Sequence, residues 1–303
     1  MNKKKFKSGF VAIVGRPNVG KSTLLNSLIE EKISIVSSIP QTTRHQIRGI
    51  LNAKDYQIVF VDTPGVHSFK DKLTSHLNKM AKSSLEGCDL VLYVVDISRK
   101  PGLEERDLLN FLVNQGIKVL MVLNKIDLRK KFFNDYIDLW KEKTEKIKKD
   151  PLIYYIPCSA KLQKNIEEIK EALIENLPQG MPFYDKECFT DFPKKFRIAD
   201  IIREKLFLNL QEELPHSVAV EVESEEDRKS IVSIKVNIYV IRNSQKKIVI
   251  GKKGEVLKRV GKLSRLEIEK IYNKKVFLDI WVKVLTDWQT KPRILKELGY
   301  WRM

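Results

Sequence analysis

The sequence predicts an α/β domain built on a doubly wound, mostly parallel sheet, followed by a smaller α+β domain. Three observations carry that prediction. A chain of 303 residues is long enough for two cores of ordinary size. Up to residue 176, short apolar runs alternate with helical patterns, the signature of strands covered by helices on both faces. After residue 193 the apolar residues alternate singly with polar ones, as in half-buried strands.

In the first domain the strands are predicted at Phe10–Val14, Ile47–Ala53, Gln57–Val61, Leu90–Asp96, Lys118–Leu123 and Leu152–Pro157. Helices are expected at Lys21–Ile29, Ser68–Leu85, Leu103–Gln115, Phe133–Lys148 and Ile166–Asn176. The Pro- and Gly-rich stretch Leu177–Pro193 reads as a linker. Beyond it a helix at Lys194–Glu213 precedes strands carrying Val218, Val220 and Val222, then Ile234, Val236, Ile238 and Val240. A helix near Ser244–Ile250, a second from Glu255 to Ile271 and a strand with Val276, Leu278, Ile280, Val282 and Val284 on one face complete an α-β-β-α-α-β order. The division expected is 1–178 for the first domain, 179–193 for the linker, 194–290 for the second and 291–303 for a C-terminal tail.

Composition excludes several classes. With 43% hydrophobic and 9% aromatic residues the chain is not disordered, and 13 Gly with 11 Pro exclude a collagen-like repeat. No apolar run approaches the ~20 residues that span a bilayer. The basic opening MNKKKFK is followed by too short an apolar stretch for a signal peptide. Cys88, Cys158 and Cys188 are scattered and odd in number, which predicts a reduced, cytoplasmic protein without disulfides or a zinc knuckle. The net charge is +17, and Arg242–Lys275 concentrates 12 basic against 3 acidic residues. Such a patch is the footprint of a polyanion; a solvated helix face is the plainer alternative.

Gly15-Arg16-Pro17-Asn18-Val19-Gly20-Lys21-Ser22 matches G-x-x-x-x-G-K-S between a predicted strand and a predicted helix, with Thr23 next in line. Its backbone amides and helix end suit a β-phosphate, Lys21 the β/γ oxygens and the Ser22 hydroxyl Mg²⁺. Asp62-Thr63-Pro64-Gly65 closes another strand, placing Asp62 to hold Mg²⁺ through water and the Gly65 amide to meet a γ-phosphate. Asn124-Lys125-Ile126-Asp127 closes a third. A carboxylate at Asp127 accepts from guanine N1–H and N2–H₂ together, a donor pair that adenine lacks. Ser159-Ala160-Lys161 follows the last strand, where the Ala160 amide faces guanine O6. In the second domain, Gly251-Lys252-Lys253-Gly254 lies between two helices and matches the G-x-x-G loop that clamps a single-stranded backbone. Lys252, Lys253 and Lys258 are expected to meet phosphates, and Ile248 and Ile250, packed against the strand bearing Ile234 and Val236, to line a groove for bases.

On Gly15–Ser22, Pro40-Gln41-Thr42-Thr43-Arg44, Asp62–Gly65, Asn124–Asp127, Ser159–Lys161 and Gly251–Gly254 the sequence closely resembles the Era family of translation-factor-related GTPases, over roughly residues 8–290. The resemblance implies an α/β P-loop GTPase domain followed by an α+β type II KH domain. It also implies slow GTP hydrolysis, and binding to single-stranded 16S rRNA near its 3′ end in assembly of the 30S subunit. It implies a monomer in the cytoplasm, with peripheral association on the inner face of the membrane. It further implies that Thr42 or Thr43 closes over Mg²⁺ and the γ-phosphate, and the two threonines are not distinguished by sequence. Lys21, Thr42, Thr43 and Gly65 then form the catalytic set.

Val66 follows the Asp-x-x-Gly motif where Ras-like enzymes place a water-orienting Gln, so water must be positioned by backbone, a cation or a partner. The alternative gives that chemistry to His67. Asn18 resembles a ligand for a K⁺ ion beside the phosphates; closing the loop through a side-chain turn is its other reading. Two further functions stand beside the first. A membrane-associated signalling GTPase would use the basic patch for anionic lipid, whereas a tRNA-modifying or translocation GTPase would need a cysteine motif or appended domain that the sequence lacks.

Overall fold

The computed structural model describes residues 5–37, 43–63, 83–147, 149–210 and 214–300. The expected helix Ser68–Leu85 lies almost wholly outside these residues, as do Thr42, Pro64, Gly65, Val66 and His67. The chain forms two compact units. One holds the described residues to Ser34 and from Thr43 to Asp191; the other holds those from Phe192 onward together with residues 35–37.

The first unit is built on β1 (Lys7–Val14), β2 (Ile47–Asn52), β3 (Tyr56–Asp62), β4 (Leu90–Asp96), β5 (Lys118–Asn124) and β6 (Leu152–Cys158). They form one sheet in the order β2-β3-β1-β4-β5-β6, antiparallel only between β2 and β3. Every residue of β4 is buried, which is why these runs are continuously apolar rather than alternating. The described helices are α1 (Lys21–Ile29), α2 (Leu103–Val113), α3 (Phe133–Thr144) and α4 (Ile166–Asn176). Leu108, Leu109 and Leu112 of α2, with Tyr136, Leu139 and Trp140 of α3, bury themselves against Tyr93, Val119 and Met121 in one core. Helix α3 stops four residues short of the expected Lys148. The Thr144 hydroxyl turns back to the Trp140 carbonyl, and the Trp140 indole donates to Asp150, which pulls the chain toward β6.

The segment expected as a linker is fastened to the first unit. Gly49 of β2 bridges to Thr190, the Ile50 amide donates to the Phe189 carbonyl, and Arg48 pairs with Asp191 at 3.0 Å. The side chain of Gln57 accepts from the Phe183 and Tyr184 amides. Residues 181–191 thus strap the edge of the sheet at β2 and cover backbone groups that would otherwise stand unpaired.

The second unit begins with α5 (Lys194–Asn209) and the short α6 (Leu214–Ser217). A mixed sheet follows, β7 (Ala219–Asp227) antiparallel to β8 (Ile231–Val240) and β8 parallel to β9 (Lys275–Val284). The crossover from β8 to β9 contains α7 (Asn243–Ile250) and α8 (Glu255–Tyr272). One face of the sheet packs with Ile198, Ile202 and Leu206 of α5 and with Val260 and Ile268 of α8. The tail, whose docking place the sequence does not give, completes this core. Residues Pro292–Glu297 form α9, Leu295, Leu298 and Tyr300 are buried, and the Arg203 guanidinium donates to the Tyr300 hydroxyl at 2.8 Å. Trp288 is fully buried and its indole donates to the Ser217 carbonyl.

Candidate nucleotide and RNA sites

Helix α1 begins at the end of β1 with Gly20 as its cap. No side chain caps it and its first turn carries no acidic residue. Its terminal amides are therefore left for an external acceptor, unlike those of α2 and α4, whose first turns carry two glutamates each. A Cβ at Gly20 would collide with the Asn124 side-chain amide, so only glycine lets the loop sit against the Asn124-Lys125-Ile126-Asp127 motif. Asn124 fastens the contact by donating to the Val19 carbonyl at 2.7 Å.

Lys21 is buried, and its ammonium donates to the Gly15 and Arg16 carbonyls at 2.9 and 2.8 Å, folded over the loop it belongs to. Burial pulls its pKa down to about 8, with Asp62 opposing that shift. The Arg16 side chain turns away from the loop to pair with Glu105 of α2 at 2.6 Å, so Arg16 serves the loop through its backbone. Glu105 also accepts from the Gly102 amide and thereby caps α2.

Three hydroxyls gather on Asp62 and Ser22. The Ser22 and Ser34 hydroxyls donate to Asp62 Oδ2 at 2.9 and 3.0 Å, and Thr43 Oγ1 lies 3.0 Å from Ser22 Oγ. Burial raises the Asp62 carboxyl, against the pull of Lys21 and the two serines. Its second oxygen, Oδ1, is buried without a hydrogen-bond partner among the described residues. An orphaned carboxylate oxygen beside two hydroxyl ligands fits Mg²⁺, which keeps several of its waters and leans on phosphates for the rest. Between the two candidate threonines, Thr43 stands at this cluster and Thr42 lies outside the described residues.

At the base end, Asp127 is held by the Ser159 hydroxyl at 2.6 Å. Lys125 takes a left-handed backbone conformation and reaches Asp96 at 2.7 Å, a contact that holds the Asp96 carboxyl below the usual range despite its burial. The Ala160 amide, expected to meet guanine O6, donates here to Asn124 Oδ1 at 3.0 Å. A bound base must compete with that bond. Lys161 is exposed beside it. Asn18 has φ +61°, the left-handed conformation of a turn residue. Sequence reasoning missed Glu105, Asp96, Asn26 and Ser34. Only Glu105 had a local signal, an acid three residues after a helix-capping position.

In the second unit, Gly251 and Gly254 have φ of +75° and +78°, and Lys253 is left-handed as well. A Cβ at Gly251 would press on Val256 at 2.6 Å, whereas one at Gly254 would meet nothing within 4 Å. The first glycine is required by packing, and the second leaves open space at the start of α8 where a backbone can approach. Lys252 and Lys253 are exposed on this turn and Lys258 is exposed on α8, while Glu255 in the first turn of α8 partly offsets the helix-end field. The expected base groove is not there as drawn. Ile234 and Val236 are core residues beneath the helices and offer no surface, Ile248 is 52% exposed, and Ile250 packs on that core. Alternation signalled that one face of the strand was buried, and the burial proves complete.

An uncapped phosphate loop joined to a guanine-type specificity motif, in one chain with an α-β-β-α-α-β unit carrying a left-handed G-x-x-G turn, defines a P-loop GTPase with a KH domain. Comparison with known families agrees: the 50S ribosome-binding GTPase family matches residues 10–125 and the KH domain family residues 213–289. GTPase Era of Thermoanaerobacter sp. (strain X514) is 45% identical over 297 residues, covering 97% of this chain and 96% of the relative. GTPase Era of Geobacter metallireducens is 43% identical over 303 residues, 99% and 100% of the two chains. The chain belongs to the Era family. Two solved structures share its fold at a TM-score of 0.90 and 37% identity over 97% of this chain: an Aquifex aeolicus Era variant bound to GDP·AlF4⁻, and Era in complex with MgGDPNP and nucleotides 1506–1542 of 16S ribosomal RNA.

Proposed function

We propose that the chain is a GTP-binding, GTP-hydrolysing switch that grips single-stranded rRNA near the 3′ end of the small subunit and assists assembly of the 30S subunit. The observation that carries this reading is the likeness, across both units, to an Era held on MgGDPNP and 16S rRNA nucleotides. The family description that mentions the 50S particle covers only the GTPase half; the KH half and the 16S complex favour the small subunit. GTP chemistry belongs to residues up to 178 with 179–191 as their strap, and RNA binding to 194–290, with 291–300 part of the same core.

In this reading the amides of Gly15–Thr23 wrap the phosphates, and Lys21 leaves the Gly15 and Arg16 carbonyls for the β/γ oxygens. Mg²⁺, when bound, neutralises charge developing between the β- and γ-phosphates. Ser22, Thr43 and, through water, Asp62 are the residues that hold it, with Thr42 the alternative to Thr43. The Gly65 amide meets the γ-phosphate. Asn124, Lys125 and Asp127 read the guanine, with Ser159 fixing Asp127 and the Ala160 and Lys161 backbone closing on O6. Asn18 would hold a K⁺ ion, which would supply positive charge beside the leaving γ-phosphoryl. Hydrolysis measured in K⁺ against Na⁺ at equal ionic strength, for wild type and Asn18→Ala, should show a K⁺ preference that the variant loses; a wild type indifferent to the cation rejects the ion.

Among the described residues no helix is long and apolar enough to cross a membrane. Attachment to the inner face of the membrane would therefore rest on the basic surface. The test of the whole reading is fluorescence anisotropy of a labelled 3′-terminal 16S fragment with GTP analogue, GDP or no nucleotide, alongside vesicles of anionic lipid. Preference for that fragment over a scrambled one, changing with the nucleotide, is expected. Vesicle binding with no preference between the RNAs would replace this reading with the membrane-associated one.

A further inference from the structure

We propose that Ser34, clamped in place by Asn26, is a positioning residue for Asp62 and so sets how tightly the nucleotide site holds Mg²⁺; the inference rests on the nucleotide site proposed above. Asn26 lies one helical turn after Ser22 on α1, so both side chains leave the same face of the helix. Its side chain grips residues 33 and 34 by three bonds. Oδ1 accepts from the Ile33 and Ser34 amides at 3.1 and 3.0 Å, and Nδ2 donates to the Ser34 carbonyl at 2.8 Å. Ser34 is fully buried, and among the described residues its hydroxyl donates to Asp62 Oδ2.

The consequence lies in the orientation of that carboxylate. The final torsion of an aspartate is broad, and a single donor leaves its plane poorly fixed. Ser22 and Ser34 both donate to the same oxygen, one from α1 and one from the segment that α1 clamps. Oδ1 is then the buried oxygen without a hydrogen-bond partner among the described residues, the atom available to a metal-bound water. Ser22 reaches Asp62 in its own right. Ser34 has no reason to face a buried carboxylate other than to hold it, since a hydroxyl buried for packing alone would be satisfied by any backbone carbonyl. Groups that orient a metal's ligands without touching the metal are worth about 10–100-fold in metal affinity.

The experiment follows release of a fluorescent GDP analogue from the full chain across a Mg²⁺ titration and in EDTA. In wild type, Mg²⁺ is expected to slow release. Ser34→Ala should need about tenfold more Mg²⁺ for the same slowing, the worth of one hydrogen bond to a charged acceptor, while its rate in EDTA stays within about twofold of wild type. Ser34→Cys, which keeps the packing but donates weakly, should fall between them. Asn26→Ala should shift in the same direction, and the double variant no further than the larger single shift, because both act through one bond. An unchanged Mg²⁺ requirement in Ser34→Ala and Ser34→Cys would overturn the proposal. So would release that is equally faster with and without Mg²⁺, or a double variant whose shift is the sum of the singles. A wild type whose release ignores Mg²⁺ would overturn the metal site itself, and this inference with it.

Discussion

The two turns proposed to bind phosphate in this chain meet a similar problem by opposite means. The loop Gly15–Ser22 is largely buried and fastened by side chains: Asn124 holds Val19, Glu105 holds Arg16, and Lys21 bonds the loop's own carbonyls. The turn Gly251–Gly254 stands at the surface, with two exposed lysines and open space over its second glycine. A buried network recognises one ligand by leaving few polar groups unpaired once it is bound, and any wrong group is costly. An exposed cationic turn recognises a charged backbone, at an energy that salt screens and sequence hardly changes. Selectivity belongs to the first and capture to the second.

Substitutions should therefore act sharply at one turn and gradually at the other. The largest effect is expected at Asp127. Asp127→Asn replaces an acceptor of two guanine donors with an amide that suits the extra carbonyl of xanthine. Competition binding should show GTP affinity falling by about 100-fold or more, the worth of two hydrogen bonds to a charged group, with a gain for xanthosine triphosphate. A wild type that bound ATP as well as GTP would remove the contrast altogether.

Next comes Glu105→Ala, which leaves the Arg16 guanidinium without its partner beside the phosphate loop. Denaturant unfolding should report a loss of about 3 kcal/mol in the first unit. At the exposed turn, Lys252→Ala should change stability by no more than about 0.5 kcal/mol. If the two losses were alike, the distinction between a fastened and an open turn would fail.

A smaller and sharper test lies within the second turn. Gly254 is left-handed, and Gly251, with φ +75° and ψ 172°, lies in an extended region that glycine alone adopts readily, so alanine costs about 1–3 kcal/mol at either position. Gly251→Ala must also displace Val256, adding about 1 kcal/mol or more of overpacking that Gly254→Ala escapes. The more stable Gly254→Ala should nevertheless lose RNA affinity, because its new methyl group fills the space left for a backbone. Equal unfolding midpoints for the two variants would mean that Val256 does not discriminate between them.

Much of the fold was legible because local pattern and tertiary environment agree. Lys21–Ile29 and Ile166–Asn176 have the bounds expected, and β4 occupies its whole apolar run. The strap along β2 was not legible, since it is made of backbone bonds from an irregular, polar segment to a strand more than a hundred residues earlier. The docking of the tail was not legible for a similar reason: its buried Tyr300 answers Arg203, and no local period announces such a pair. At the site, motif residues were readable because phosphate and guanine chemistry dictates them. Their supports were not: Glu105, Asp96, Asn26 and Ser34 are chosen by proximity in space. The base groove failed at the opposite level, because alternation at Ile234 and Val236 reports a buried face and says nothing of what covers it.

The most direct measurement of the central claim is the salt dependence of RNA binding. A single strand releases counterions with a slope of about 0.7 per phosphate neutralised. Replacing Lys252 and Lys253 with Ala should therefore lower the slope of log K against log[salt] by about 1.4 on the 3′-terminal 16S fragment. GTP hydrolysis without RNA should stay nearly unchanged. Lys143, in the last turn of α3, and Lys146, two residues past that helix, supply the control pair, and their replacement should leave the slope where it was. A control pair that lowered affinity and slope as much as the turn pair would contradict the account, reducing the KH turn to one part of a diffuse positive charge.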